Sequence, residues 1–203
     1  MNQAIGAKKS SSKNKLLVVT MVIATSLFVG AGVALQLVAQ PRYDVGGGSM
    51  LPNIAPSEAL AASTQEPVLG DVVVVRNPGD GRVVVKRLIA VGPATVTIEA
   101  TGSITVNSSP ILRSEGCPDV AWEDALREER EQVSDYRCFT EQHASRRVAV
   151  LEQTTPTGDR FSTTLAPGQY FVLGDNRSHS NDSRNPSFGL LSRDAILGVV
   201  VGR

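Results

Sequence analysis

Histidine and cysteine are scarce in this chain, whose 203 residues include two of each. So few ligands exclude a zinc site of the usual spacings, and no metal-ligand cluster stands out. Net charge is absent too, with 20 basic and 20 acidic residues. Composition therefore gives no pointer to nucleic acid or to a strongly acidic partner. Aromatic residues make up 4% of the chain, and no internal repeat is visible. What is abundant is valine, in runs bounded by Gly and Pro, a pattern that favours strands over helices.

The N-terminal segment lacks acidic residues altogether. Lys8, Lys9, Lys13 and Lys15 make a basic, Ser-rich head over residues 1–15. No charged residue follows from Leu16 to Ala39. As a helix this run of roughly 24 residues is about 36 Å long, enough to cross a hydrocarbon core of about 30 Å with some tilt. The positive-inside rule then puts Met1 in the cytoplasm and residues 40–203 outside. A cleavable signal peptide is the rival reading, although its apolar region is typically about 7–15 residues. Both readings place the soluble domain, of about 160 residues, in an exported, oxidising compartment. There Cys117 and Cys138 read as a disulfide, closing a loop of about 22 residues and stabilising by roughly 3 kcal/mol; two separate buried thiols are the alternative.

Strands are expected at Val72–Arg76 and Val83–Val91, joined by the turn cluster Asn77-Pro78-Gly79-Asp80-Gly81. Further strands are expected at Thr95–Ala100, Ser103–Val106, Phe161–Leu165, Gln169–Leu173 and Ala195–Val201. Residues 53–67 read as irregular. Residues 107–165 read as a less typical inserted region, with Trp122, Leu126 and Val133 along a solvated helix and His143 on the surface. The expected fold is mainly β: an antiparallel domain with an inserted subdomain, preceded by one transmembrane helix.

Three segments carry candidate chemistry. Ser49 follows Gly46-Gly47-Gly48, where glycines permit unusual backbone conformations and free N–H groups can face an oxyanion; a flexible linker has the same look. Lys86 lies in Val83-Val84-Val85-Lys86-Arg87-Leu88-Ile89. Alternation places Lys86 and Arg87 on opposite faces, so one of these cations lies on an apolar face. A buried lysine loses charge through desolvation and can then take a proton from a serine hydroxyl. A lysine snorkelling from an edge strand is the plain alternative. The polar block Gly174–Arg184 follows an apolar strand. In it Ser180 is a candidate to hold the Lys86 amine. His179 with Asp182 or Asp175 offers a different mechanism, a histidine triad on Ser49.

In their order these segments closely resemble the type I signal peptidases, Ser–Lys enzymes that cut signal peptides from exported proteins. Ser49-Met50-Leu51-Pro52-Asn53 matches the nucleophile block, with Asn53 where Thr is usual. Gly70-Asp71-Val72-Val73-Val74, Val85-Lys86-Arg87-Leu88-Ile89, and Gly174 to Arg184 with Phe188-Gly189 match the other three. The resemblance runs from about Leu16 to the C-terminus and is weakest over residues 107–165.

The resemblance implies Ser49 as nucleophile and Lys86 as general base. It implies that Ser180 hydrogen-bonds Lys86, and that Arg87 pairs with Asp175 and Asp182 with Arg184. Tyr43, Val45, Met50, Val84 and Val85 match positions that line pockets for small side chains, so substrates carry Ala-x-Ala-like residues before the cut. Gly47 stands where many members have Ser or Thr as an oxyanion donor. The implied partners are preprotein signal peptides and membrane lipid, with no cofactor, metal or nucleic acid. The implied location is the plasma (inner) membrane, with the catalytic domain on the outer side. The alternatives are a related Ser–Lys peptidase dedicated to one substrate, of pilin or mitochondrial inner-membrane type, and a non-enzymatic envelope scaffold.

Overall fold

Valine builds the centre of the fold. The structure, a computed structural model, describes residues 40–155 and 160–202. The basic head at 1–15 and the apolar run at 16–39 lie outside them; among the described residues no helix is long and apolar enough to cross a membrane. The chain enters with β1 (Arg42–Asp44) and β2 (Ala59–Ser63), which pair antiparallel. β2 falls within a stretch read as irregular. Its Ala-Leu-Ala-Ala-Ser sequence has no β-branched residue, and pairing with β1 and the last strand supplies what propensity does not.

β3 (Val72–Arg76) and β4 (Val83–Val91) form a hairpin. Its turn closes with Asn77 Oδ1 accepting the Gly79 N–H at 2.9 Å and with Gly81 at φ +73°. All four valines of β3 are buried. Val72 and Val74 face Val45, Met50 and Leu60, while Val73 and Val75 face Val172, Phe188 and Leu191. Burial on both faces is why the run does not alternate with polar residues, and each valine contributes about 1.5–3 kcal/mol.

β5 (Ala94–Ile98), β6 (Ile104–Val106), β7 (Ser109–Pro110) and β8 (Arg113–Glu115) come next, followed by the helix α1 (Trp122–Glu128). β9 (Tyr136–His143) and β10 (Arg146–Gln153) form a long hairpin. β11 (Phe161–Leu165), β12 (Gln169–Leu173), β13 (Leu191–Ser192) and β14 (Ile196–Val200) complete the described chain. Among the described residues the named strands pair antiparallel, and an isolated bridge between Leu151 and Asn176 is parallel. A seven-stranded sheet runs β1-β2-β14-β3-β4-β12-β13, a four-stranded sheet β11-β5-β6-β7, and a three-stranded sheet β10-β9-β8.

Two sequence readings of the region 107–165 need correction. α1 is not a fully solvated element: Leu126 is completely buried against Cys117, Tyr136 and Cys138, with Trp122 and Val133 packed beside it. His143 is not a surface residue: it is 4% exposed, with Nε2 2.8 Å from Glu141. Glu141 is itself buried and receives Arg177 Nη1 at 2.8 Å. Burial alone pushes the Glu141 carboxyl up, but Arg177 and His143 outweigh it and hold it down to about 2.

Cys117 and Cys138 are joined, linking the segment before α1 to β9. The bridge sits in the cluster that holds Leu51, Ala149 and Leu151. Replacing both cysteines by alanine is expected to destabilise the protein by about 3 kcal/mol. Denaturant unfolding of the oxidised wild type beside the double variant checks this; coincident curves would refute it.

Candidate active site

The first piece of the site is a single 3-10 turn at Gly48–Met50. It continues as a tight bend, with the N–H groups of Asn53 and Ile54 both donating to Met50 O at 3.0 Å. Met50 points inward and is completely buried, so it belongs to the core and not to the cleft wall expected of it. The glycines before Ser49 do not serve the backbone freedom expected of them, since none of the three has a positive φ. Gly47 is extended, and a side chain there would meet nothing within 4 Å.

The second piece is β4. Its alternation separates Lys86 from Arg87, but both are buried, at 3% and 4% exposure. Arg87 is satisfied on every side. Nε and Nη2 donate to the two Asp175 oxygens at 2.7 and 2.6 Å, and Nη1 donates to Gly70 O at 2.7 Å. Among the described residues no carboxylate is in contact with Lys86. Its Nζ is hydrogen-bonded to Ser49 Oγ at 2.8 Å and donates to Val85 O at 2.9 Å. The amine is lowered from 10.5 to about 8, chiefly by burial, with Asp182 and Asp175 pulling it up and Arg184 pushing it down. Near neutral pH far more of this lysine is therefore uncharged than of a solvated one, although the charged form still predominates.

The third piece is the polar segment after β12. Asp175 pairs with Arg87. Asp182, fully buried, accepts from Arg184 Nε and Nη2 at 2.8 Å each and from the Gly174 N–H at 3.0 Å. Asn176 holds the Ser49 turn: its N–H donates to Ser49 O at 3.0 Å and its Nδ2 to Gly48 O at 3.3 Å. The hydrogen bond expected between Ser180 and Lys86 is not made. Lys86 Nζ bonds to Ser49 and Val85, and the buried Ser180 Oγ has no partner among the described residues. His179 is exposed and makes no hydrogen bond to Ser49 among those of the described residues, so the histidine-triad geometry is absent.

A cleft of about 410 Å³ opens over Ser49 and Lys86, walled by Tyr43, Val45, Val84 and Val85. Four of the five pocket positions expected from the sequence thus meet there. A second cavity, about 490 Å³, lies behind the polar segment against Ser178, Ser180, Asp182 and Arg184, and includes neither Ser49 nor Lys86. The first is the candidate site because it holds the hydrogen-bonded hydroxyl and amine.

Two contributors escaped the sequence reading. Asn53 Nδ2 donates to Asp175 Oδ2 and to Ala149 O, both at 2.7 Å. Arg177 Nε donates to Gly174 O at 3.1 Å while its guanidinium grips Glu141. Asn53 had one visible signal, its departure from Thr. Glu141 had none, since an acidic residue in a charged stretch looks solvated.

A family model described as "Signal peptidase, peptidase S26" matches residues 15–203. The chain is 27% identical over 200 residues to signal peptidase I U of Bacillus subtilis (strain 168), covering 96% of this chain and 91% of that protein. It is 34% identical over 130 residues to signal peptidase I of Rickettsia typhi, covering 59% of this chain and 46% of that protein. A solved signal peptidase I from Enterococcus faecalis V583 aligns with a TM-score of 0.38 at 24% identity, covering 68% of this chain and 98% of that one.

A Cβ at Gly174 would come within 2.3 Å of Ser180 Oγ and 2.5 Å of Ser49 O, although the backbone there is ordinary. Gly174→Ala is expected to displace the Ser49 turn and reduce peptidase activity at least about 100-fold. Steady-state kinetics checks this; a fully active variant would show that the close approach is dispensable.

Proposed function

The chain belongs to the signal peptidase family, peptidase S26, and we propose that it is a membrane-bound serine endopeptidase that removes N-terminal signal peptides from exported preproteins. The observation that carries this reading is the 2.8 Å hydrogen bond between a half-buried serine hydroxyl and a buried lysine amine in a cleft whose lining includes Tyr43, Val45, Val84 and Val85 beside Asp44, Asp80 and Arg82. In the proposed reaction Ser49 Oγ attacks the scissile carbonyl carbon and its proton passes to Lys86 Nζ. The C–N bond breaks, the leaving amine takes that proton, and an acyl ester remains on Ser49. Neutral Lys86 then deprotonates a water that attacks the ester, and Ser49 recovers its proton.

The valine walls support small residues before the cut, since a shallow apolar pocket admits alanine and excludes larger side chains. With Gly47 lacking a hydroxyl, backbone N–H groups of the nucleophile turn carry the oxyanion. Asp175, Asp182, Arg87 and Arg184 hold the frame. The same reading keeps residues 16–39 as a membrane anchor and residues 40–203 as the catalytic domain outside the membrane.

The test is cleavage of several unrelated preproteins with Ala-x-Ala sites by the purified chain in detergent. Cleavage after the final Ala is expected from the wild type and from His179→Ala. Ser49→Ala and Lys86→Ala are expected to lose at least about 1000-fold. Retained activity in both would sink the Ser–Lys mechanism, and cleavage of a single precursor would favour a dedicated peptidase.

The pH profile follows from the lysine. The base acts when neutral, so kcat/KM should rise with pH and level off above about 8, where the amine titrates. Below that point activity should fall about tenfold per unit. An acid limb near 6.5 would point instead to a histidine.

A further inference from the structure

Neither Ser49 nor Lys86 sets the distance between them; each is carried by a different piece of chain. Three pieces meet here: the turn from Gly48 to Asn53, β4, and the dipeptide Asp175–Asn176. β4 is tied to the dipeptide by Arg87, whose guanidinium holds both Asp175 oxygens. The dipeptide is tied to the front of the turn by Asn176, through Ser49 O and Gly48 O. The middle of the turn is held in the core by Met50, Leu51 and Ile54. A further polar link stands at the back of the turn. Four residues after the nucleophile, Asn53 Nδ2 donates to Asp175 Oδ2 at 2.7 Å, the same oxygen that receives Arg87 Nη2. The same nitrogen donates to Ala149 O of β10 at 2.7 Å.

We infer that Asn53 is a positioning residue for the proposed reaction: its side-chain amide locks the nucleophile turn onto the Arg87–Asp175 ion pair and onto β10, and so holds Ser49 Oγ against Lys86. This role rests on the Ser–Lys peptidase reading. The residue type fits the task. An amide nitrogen carries two N–H groups, and two acceptors await them; a threonine hydroxyl carries one. Threonine could serve the carboxylate or the Ala149 carbonyl, not both. Alanine would withdraw a donor from both acceptors, one of them the fully buried Asp175. Aspartate would set a second carboxylate against Asp175 in the same buried space.

Full-length wild type, Asn53→Ala, Asn53→Thr and Asn53→Asp are purified in detergent and assayed on one preprotein with an Ala-x-Ala site. The thermal unfolding midpoint of each is measured alongside. Asn53→Ala is expected to lose about 10- to 100-fold in kcat, with KM changed less than about twofold, at a temperature where it is fully folded. Asn53→Thr should recover part of that kcat, and Asn53→Asp should be the slowest. Wild-type kcat in Asn53→Ala overturns this role alone. So does a kcat loss that merely follows the unfolded fraction. An inert wild type overturns the peptidase reading, and this role with it.

Discussion

The buried pair of Arg87 and Asp175 fixes the geometry on which the site depends. Arg87 lies opposite Val72 on β3 and Leu173 on β12, so its guanidinium meets Asp175 at the end of β12 in one register only. Side chains alternate along a strand, and a slip of one residue would exchange the places of Arg87 and Lys86. Such a slip would bury an unpaired arginine in the cleft and set a single ammonium where the guanidinium now holds both Asp175 oxygens. Breaking a buried pair of this kind typically costs about 3–5 kcal/mol. The pair adds little over an apolar substitute, but it makes the wrong register expensive. Two adjacent cations on one strand are therefore complementary: one is neutralised by pairing, and that pairing delivers the other, unpaired, to the serine.

Lys86 sits at a balance between opposing effects. Burial removes the water that would stabilise its charge, and Val85 O supplies only one neutral acceptor. Asp182 and Asp175 act the other way, from beyond contact distance. Each is already engaged, by Arg184 and by Arg87, which weakens its field at the amine. Had either carboxylate touched Nζ, the lysine would have stayed charged and could not act as a base. The ion pairs around the site thus keep the acidic residues close enough to order the loop and away from the amine.

Much of this was legible in the sequence because strands and the four blocks rest on local pattern. Val72–Arg76, Val83–Val91, Phe161–Leu165 and Gln169–Leu173 fall where the valine and aromatic runs put them. β2 was missed because Ala-Leu-Ala-Ala-Ser carries no strand propensity and owes its conformation to two neighbours distant in sequence. The β9–β10 hairpin was missed for a different reason. It lies in the region read as a less typical insertion, with His143 on the surface, yet Glu141, His143 and Arg146 each find a partner: Arg177, Glu141 and Asp71. Glu141 and Arg177 are far apart along the chain, and no local pattern in either stretch announces the pair. Met50 was misplaced because a residue next to a nucleophile can face either the cleft or the core, and one turn of 3-10 helix decides which.

A lysine base couples two properties that a histidine base would leave independent. Histidine titrates near neutrality without help. Lysine must be desolvated to do so, and here the desolvating surface includes Val84 and Val85, which also wall the cleft. A cleft enlarged to take bulkier side chains would admit water to the amine, restore its charge and leave less of the free base. A tighter cleft would keep the amine neutral but exclude even alanine. On the proposed mechanism, the narrow preference for small residues follows from the choice of base as much as from selection for a substrate. The frame of Arg87, Asp175 and Asn53 maintains that compromise, because a shift of the nucleophile turn would open the floor of the cleft and hydrate Lys86 at the same time.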